Sequence, residues 1–343
     1  MNELTRQVSE MYSKFPYPSS QARGRKLREL RNLLTIFSME NRYDLKGKSV
    51  LDAGTGTGHR LIEAATAFEH PHFLAVDISE TPLRIAREVA AHEGVQTVEF
   101  RSFNLMEDGK RLGRFDMILC MGVLHHLSDP SYGLRNLVEN LNDDGIIFLY
   151  IYGKHGGRER MRRKQILSLL LNGNRQDFDQ GSSLAKDLGF DSFEYGWNLN
   201  DNEGESNDAL IVDAYLNANE TLFEADSIFD LLGSSGLHAF LTYGLTLEQS
   251  GCLFDTRLLP AARGAVKTTD IAQKLPSLAA KDAYKRLSLL DKYRLIDHLF
   301  HPNGYTVMGL KAGALHRFAP ESRVLANALT IADLPRLNCR QVA

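Results

Sequence analysis

The sequence lacks the features that mark secreted, metal-clustering and membrane-spanning proteins. Its three cysteines are far apart and form no CxxC pair, so they predict neither a disulfide framework nor a metal cluster. The longest apolar run, 146–152, is far shorter than the ~18 residues that a membrane span needs. The first residues are polar and lack a signal-type apolar stretch. These absences predict a soluble, cytoplasmic protein with no metal and no membrane partner.

Charge and composition narrow the class further. The chain has 40 Lys and Arg against 43 Asp and Glu, a formal net charge of −3, so no broad basic surface for nucleic acid is expected. Its hydrophobic fraction of 43% supports a buried core and excludes wholesale disorder. A length of 343 residues allows about two domains, or one domain with large insertions.

Between residues 48 and 153, short apolar runs alternate with segments of helical spacing. The predicted strands are 49–52, 73–77, 98–103, 115–120 and 146–152, and the predicted helices are 59–68, 81–92 and 130–141. Strands that are apolar on both faces and alternate with helices predict a parallel sheet in a doubly wound α/β fold. Ligands of such folds bind at the carboxyl ends of the strands. Further strands are predicted at 238–243 and 305–310, and residues 248–300 are predicted to be mostly helical.

A glycine cluster joins the first strand to the first helix. Residues 50–58 read VLDAGTGTG, and glycines there let a ligand approach the backbone next to helical N–H groups. A dinucleotide fingerprint requires glycine at the position of His59, and the third glycine is instead Gly58. Asp77 ends the second strand, where its carboxylate can accept hydrogen bonds from both hydroxyls of a ribose.

Together with the block FDMILCMGVLHHL at 115–127, these residues closely resemble the class I S-adenosylmethionine (SAM)-dependent methyltransferases. The resemblance covers 48–153 and extends loosely to 234–237 and 305–310. It implies SAM as cofactor, S-adenosylhomocysteine as product, and a seven-stranded, mostly parallel sheet whose last two strands form an antiparallel hairpin.

The resemblance also implies a division of the chain. Its parts are an N-terminal helical lid at 1–47, a SAM-binding core at 48–153, an insertion or substrate cap at 154–224, the rest of the core sheet at 225–312 with a helical insertion at 248–303, and a tail at 313–343.

Several cofactor contacts follow from the resemblance. The implied set is Asp52, Gly54, Thr55, Gly56, Gly58, Asp77, Ile78, Phe103, Asn104, Met121 and Gly122. Within it, Asp52 lies near the cofactor's ammonium group, Asp77 holds the ribose and Ile78 packs on adenine. Members of the family usually carry Asp after the third strand, whereas this chain has Asn104, whose carbonyl can still accept from the adenine amino group.

The candidate catalytic residues are His125, His126 and Tyr12. The cofactor's methyl group is already activated, so the protein supplies orientation and, where needed, a base. The two histidines follow the fourth strand, and a histidine suits a general base; the alternative is that one imidazole shapes the loop. His125 aligns with a histidine that pairs with a lid tyrosine in phosphoethanolamine-type methyltransferases. The predicted latch is Tyr12 or Tyr17, unless these aromatics only cap the sheet edge.

The methyl acceptor stays open. After the fourth strand the sequence has Met121–Leu124 in place of the Asn/Asp-Pro-Pro-aromatic motif, which disfavours methylation of adenine amines and glutamine amides. A small-molecule acceptor, methylated at O or N, is the first hypothesis. The alternatives are an RNA or protein acceptor, with RNA bound through Arg158–Lys164, and a SAM-binding regulatory or partner module without turnover. The predicted pocket or core aromatics are Tyr150, Tyr152, Trp197, Tyr215 and Phe223.

Overall fold

A computed structural model of the chain describes residues 2–19, 28–68, 71–190, 207–247, 250–254, 267–269 and 271–335. Within these ranges one sheet of ten strands organises the molecule. The strands are β1 Ser49–Ala53, β2 His72–Asp77, β3 Val98–Ser102, β4 Phe115–Met121, β5 Leu141–Tyr152, β6 Ala239–Leu247, β7 Ser250–Phe254, β8 Lys267–Thr269, β9 Gly304–Leu310 and β10 Leu329–Thr330.

The strand order is β3-β2-β1-β4-β5-β9-β6-β7-β8, and β10 pairs with β6. Strands β1 to β5 are parallel, while β9 runs antiparallel to both β5 and β6. This order confirms the predicted doubly wound, mostly parallel sheet and its antiparallel hairpin. The carboxyl ends of β1, β2 and β4 therefore meet at one edge, where the candidate site lies.

Thirteen α-helices lie within the described ranges. They are α1 Glu3–Lys14, α2 Glu29–Asn41, α3 His59–Ala65, α4 Glu80–His92, α5 Pro130–Glu139, α6 Arg158–Leu170, α7 Phe178–Asp187, α8 Asn207–Ile211, α9 Ala225–Gly233, α10 Ile271–Lys274, α11 Leu278–Arg286, α12 Leu289–Phe300 and α13 Arg323–Asn327. Capping residues in the sequence determine where two of these helices begin. Asn2 caps α1 by accepting a hydrogen bond from the Thr5 N–H, and Asp129 caps α5, which has Pro130 in its first turn.

Alternate residues of the strands enter two different cores. Leu51 of β1 packs with α5, α9 and α12 on one face of the sheet, whereas Val50 packs with α2 and α3 on the other. A third cluster joins Met11 of α1 to Leu167 of α6 and to residues 211–216. The N-terminal helix is thus held against the segment that follows β5, above the carboxyl edge of the sheet.

The sheet is larger than the sequence predicts. The sheet has ten strands where seven were expected, because β7 and β8 extend its edge and β10 pairs with the start of β6. Consequently 248–303 is not only a helical insertion, and the segment 313–343 contributes a strand. β8 has three residues and β10 has two, so neither is long enough to show a period.

None of the helices described here combines the length and the apolar composition needed to cross a membrane.

Candidate active site

The glycine loop between β1 and α3 requires its glycines. Gly54, Gly56 and Gly58 have φ angles of +84°, +57° and +72°, a conformation that favours glycine. A Cβ atom at Gly54 would collide with the Val123 side chain, and one at Gly56 would collide with the carbonyl oxygen of Tyr17. The loop is therefore enclosed between the segment after β4 and the N-terminal segment.

Asp77 is fixed beside this loop. One carboxylate oxygen accepts a hydrogen bond from the Gly56 N–H at 2.9 Å, and the other accepts from the Ser79 N–H at 2.9 Å. Burial raises the pKa of this carboxyl, and the backbone hydrogen bonds oppose that rise. The structure thus brings together Asp77 and Gly56, two residues that the sequence assigned to one ligand.

Asp52 is a buried carboxyl at the end of β1. Burial raises its pKa to about 6, and the positive charge of nearby Arg60 opposes the rise. A carboxyl in this setting can serve as a counter-charge for a cationic group, and it becomes mostly ionised as the pH rises above about 6.

Three predicted adenine-binding residues line one cavity. Ile78, Phe103 and Asn104 border a space of about 530 Å³ at the carboxyl ends of β2 and β3. The Asn104 side-chain oxygen already accepts from the Met106 N–H at 3.0 Å, which leaves one lone pair for the predicted bond to an adenine amino group.

The end of β4 leaves space for a ligand. Gly122 has a φ of +86°, and a Cβ atom placed there would meet nothing within 4 Å. Its N–H donates to the Tyr150 carbonyl at 3.0 Å, which holds this turn against β5. Met121 and Gly122 thus border an open position between the glycine loop and the two histidines.

The N-terminal segment covers the glycine loop. The Thr57 hydroxyl donates to the Pro18 carbonyl at 2.8 Å, and the Ser79 hydroxyl donates to the Ser9 carbonyl at 3.0 Å. The Tyr17 hydroxyl accepts from Arg60 at 3.4 Å. Residues 2–19, which belong to the predicted lid, are therefore hydrogen-bonded to the loop and to the start of α3.

The predicted pairing of a lid tyrosine with His125 differs from the arrangement found. The Tyr12 hydroxyl donates to Asp213 at 2.7 Å and accepts from the Asn217 side chain at 3.2 Å. Asp213 lies in a π-helical turn, Val212–Leu216, which brings its carboxylate to the lid. The Tyr12 ring contacts the edge of His126 instead, with ring centroids 6.4 Å apart.

The two adjacent histidines have different surroundings. The His126 Nδ1 lies 2.8 Å from the Asn219 carbonyl oxygen, which can only accept, so Nδ1 carries the proton and Nε2 is the acceptor of the neutral ring. Both ring nitrogens of His125 are buried with no hydrogen-bond partner among the described residues, and its ring stacks on Tyr152 at 3.8 Å. Burial lowers the pKa of both rings, that of His125 well below its usual value.

The basic segment Arg158–Lys164 turns largely toward its own chain. Arg160 and Lys164 form ion pairs with the buried Glu220 at 2.5 and 3.2 Å, and the Arg160 guanidinium lies 4.2 Å from the centre of the Tyr152 ring. Arg162 and Arg163 both pair with Glu159. Four of the five cations are thus paired within the chain, which leaves little free positive charge for a phosphate backbone.

Sequence reasoning missed several residues of this site. They are Arg60, Asp213, Asn217, Asn219 and Glu220. Asp213 could have been identified from the sequence. It is the one carboxylate in the apolar run 209–216, and a buried charge needs a partner. Of the predicted aromatics, Tyr152 contacts His125, Tyr215 and Phe223 lie in hydrophobic cores, and Trp197 lies outside the described residues.

Replacement of Asp77 by alanine is expected to weaken SAM binding by about 1–3 kcal/mol, because the change removes a charged acceptor for two ribose hydroxyls. Calorimetric titration measures the loss. Asp116→Ala, which removes a carboxylate bonded to the Ser49 N–H at the opposite end of β1, is the matched control. Unchanged SAM affinity in the Asp77 variant would refute the ribose assignment.

The affinity for SAM is also expected to fall as the pH drops through about 6. The pKa of Asp52 is raised to about 6, so its negative charge is present above that pH and is lost below it. Titrations between about pH 5 and pH 8 test this. The Asp52→Asn variant should show weaker binding with a flatter pH profile, and an equally steep profile in that variant would contradict the assignment.

Comparisons with known proteins find similarity to methyltransferases. The protein-family model described as "Methyltransferase domain" matches residues 44–162. An uncharacterized protein of Synechococcus sp., syc1184_c, is 27% identical over 248 residues, which cover 69% of this chain and 59% of that protein. A ubiquinone biosynthesis O-methyltransferase of Marinobacter nauticus is 30% identical over 121 residues, 34% of this chain and 50% of that protein. The chain thus spans less than two thirds of either relative.

Solved structures show the same fold. PKMT2 from Rickettsia typhi superposes with a TM-score of 0.58 at 16% identity, covering 84% of this chain and 53% of that one. The same protein in complex with AdoHcy gives a TM-score of 0.56 at 20% identity, covering 85% of this chain and 54% of that one. At these identities the likeness concerns the arrangement of helices and strands.

Proposed function

We propose that this chain, which carries a class I SAM-dependent methyltransferase domain, transfers the methyl group of SAM to an oxygen or nitrogen atom of a small-molecule acceptor. The observation that carries the proposal is the joint arrangement of Asp77, Gly56 and Gly122. A fixed carboxylate, a loop whose glycine positions admit no side chain and an open turn after β4 line one continuous edge of the sheet. This arrangement suits a ligand with a ribose at one end and a reactive group at the other.

The residues fit the cofactor at three points. The cavity beside Ile78 would accommodate a flat base, the Asp77 carboxylate would accept hydrogen bonds from hydroxyls, and the buried Asp52 carboxylate would attract the positively charged end of the ligand. When bound, SAM supplies a methyl group on a positively charged sulfur, ready for in-line displacement. The chain's own contribution is to orient the acceptor, exclude water and remove a proton.

His126 is the proposed base. Its Nδ1–H is held by the Asn219 carbonyl, so its Nε2 lone pair is the one that can take a proton from the acceptor. Burial keeps the pKa of this ring below its usual value, so the ring is neutral near neutral pH. His125, sealed against Tyr152, is proposed to support the loop. This assignment moves the catalytic role from His125, the residue favoured by sequence, to its neighbour.

Tyr12 is proposed as the latch of the lid. Its hydroxyl bonds to Asp213 and its ring borders His126, so closure of the lid places an aromatic wall beside the proposed base. Closing a site in this way excludes water from the reacting atoms.

Two observations support a small acceptor. The lid and the segment after β5 share the hydrophobic cluster that contains Met11 and Leu167, and they contact His126 through Tyr12 and Asn219, so together they cover the proposed base. The relative from Marinobacter nauticus, named for O-methylation in ubiquinone biosynthesis, is 30% identical to the chain over 121 residues. An RNA acceptor is less favoured because the cations at 160–164 pair with Glu159 and Glu220. A protein acceptor, or a module that binds SAM without turnover, remains as an alternative.

The test uses SAM with a labelled methyl group and a fractionated cell extract. We expect label in the small-molecule fraction, and loss of transfer after the Asp77→Ala substitution. Label in RNA or protein would contradict the small-molecule acceptor while keeping the methyltransferase. Binding of SAM without any transfer would support the non-catalytic alternative.

A further inference from the structure

Arg60 lies in the first turn of α3, two residues after the last glycine of the loop. Its Nε atom is buried without a hydrogen-bond partner. Its guanidinium donates a long hydrogen bond of 3.4 Å to the Tyr17 hydroxyl and lies 5.7 Å from the centre of that ring. No carboxylate in the described ranges forms an ion pair with it, although Asp52 and the exposed Glu29 are close enough to interact electrostatically.

A guanidinium that has a buried, unpartnered Nε atom and forms no ion pair with the described carboxylates is costly, so this position is suited to an anion that arrives with a ligand. The segment 20–27, which follows the part of the lid that contains Tyr17, includes no Asp or Glu in its sequence. The nearby cations Arg160 and Lys164 are already paired with Glu220. Arg60 is therefore the cation of this site that retains capacity for an incoming carboxylate.

The position of Asp52 indicates which anion this is. Asp52 lies near the end of β1 and Arg60 lies in the first turn of α3, so the two residues flank the glycine loop, and the charge of Arg60 lowers the pKa of Asp52. A ligand group that matches an adjacent carboxylate and guanidinium carries one positive and one negative charge, as the amino-acid end of SAM does. Asp52 would attract the ammonium group and repel the carboxylate, so the carboxylate needs the cation that Arg60 provides.

We propose that Arg60 binds the α-carboxylate of the cofactor and makes this site selective for SAM over its decarboxylated form. This inference rests on the proposed function. A bidentate guanidinium–carboxylate contact, formed under the lid, would distinguish two adenosyl ligands that are otherwise identical. The contact with Tyr17 would also connect occupancy of the carboxylate position to the covering segment.

The experiment compares the affinities of two ligands, S-adenosylhomocysteine and its decarboxylated analogue, by calorimetry. For the unmodified protein we expect the analogue to bind about 10- to 100-fold more weakly. In Arg60→Met the affinity for S-adenosylhomocysteine should fall by a similar factor, while the analogue should bind about as before, so the preference disappears. Arg60→Lys should keep part of the preference, because it keeps the charge but not the bidentate geometry.

Arg84→Gln, which removes an exposed arginine paired with Glu88 on α4, is the control and should keep the full preference. Thermal unfolding of each variant shows whether it is folded. If Arg60→Met is unstable, the reduced preference expected for Arg60→Lys, which keeps the charge, still tests the inference. Full preference in Arg60→Met overturns the inference. So does an unchanged affinity of Arg60→Met for S-adenosylhomocysteine, which would show that Arg60 does not bind the cofactor. If the unmodified protein binds neither ligand, the proposed function itself fails.

Discussion

Substitution of His126 by alanine is expected to lower the turnover number for methyl transfer by about 10²- to 10⁴-fold, the usual contribution of a positioned general base. The Asn219 carbonyl fixes the His126 ring with Nδ1 protonated, so Nε2 is the proton acceptor, and alanine removes it. Cofactor affinity should change by less than about threefold, because no predicted cofactor contact involves this ring. Steady-state kinetics and calorimetry on the same preparations measure both quantities.

The pH profile separates a base from a structural residue. Burial lowers the pKa of His126 below its ordinary 6.5, so the neutral, proton-accepting form persists to a lower pH than for an exposed histidine. Turnover should therefore decrease only as the pH falls through that lowered pKa. His92→Ala, which removes an exposed histidine at the end of α4, is the matched control. Turnover of His126→Ala close to that of the unmodified protein would reduce His126 to a scaffold residue.

The second large effect is expected at Gly56. Alanine there must adopt a φ near +57° and place its Cβ against the Tyr17 carbonyl oxygen, so the lid, the loop or both must move. The left-handed conformation alone costs about 1–2 kcal/mol. Movement of the loop would also disturb the hydrogen bond from the Gly56 N–H to Asp77. We expect SAM affinity to fall by at least about 100-fold, equivalent to about 2.7 kcal/mol.

Gly94 provides the matched control for Gly56. It also has a positive φ, +68°, but a Cβ atom there meets nothing within 4 Å. Gly94→Ala therefore carries a comparable backbone strain without a collision, and it should lower the thermal stability slightly while SAM affinity stays unchanged. If the two alanine variants bind SAM equally well, the close contact between the lid and the glycine loop has no role in binding.

The sequence indicates which residues meet at the proposed cofactor side of the site, but not which residues surround Tyr12 and His126. The glycine loop, Asp77 and the cavity residue Ile78 lie on consecutive strand-to-helix connections, where the order of a parallel sheet fixes which residues meet. The partners of Tyr12 and His126 could not be found in this way. Asp213 and Asn219 lie more than 90 positions away in a segment without strand periodicity, and packing rather than pattern brings them to the site.

The edge strands of the sheet could not be predicted from the sequence for a similar reason. The core strands have apolar residues on both faces over five or more positions, and they were predicted within a few residues of their observed ends. β10, by contrast, has two residues and exists because β6 offers an unpaired backbone edge to it. Short edge pairings of this kind form only where a neighbouring strand is already in place. The local sequence pattern does not indicate whether such a neighbour is present.

The most direct test of the whole account is a calorimetric titration of the purified protein with S-adenosylhomocysteine and, separately, with a nicotinamide dinucleotide. The account predicts saturable binding of S-adenosylhomocysteine at one site, weakened by Asp77→Ala, and no binding of the dinucleotide. Binding of the dinucleotide without binding of the adenosyl compound would contradict it, because the glycine loop would then hold a pyrophosphate.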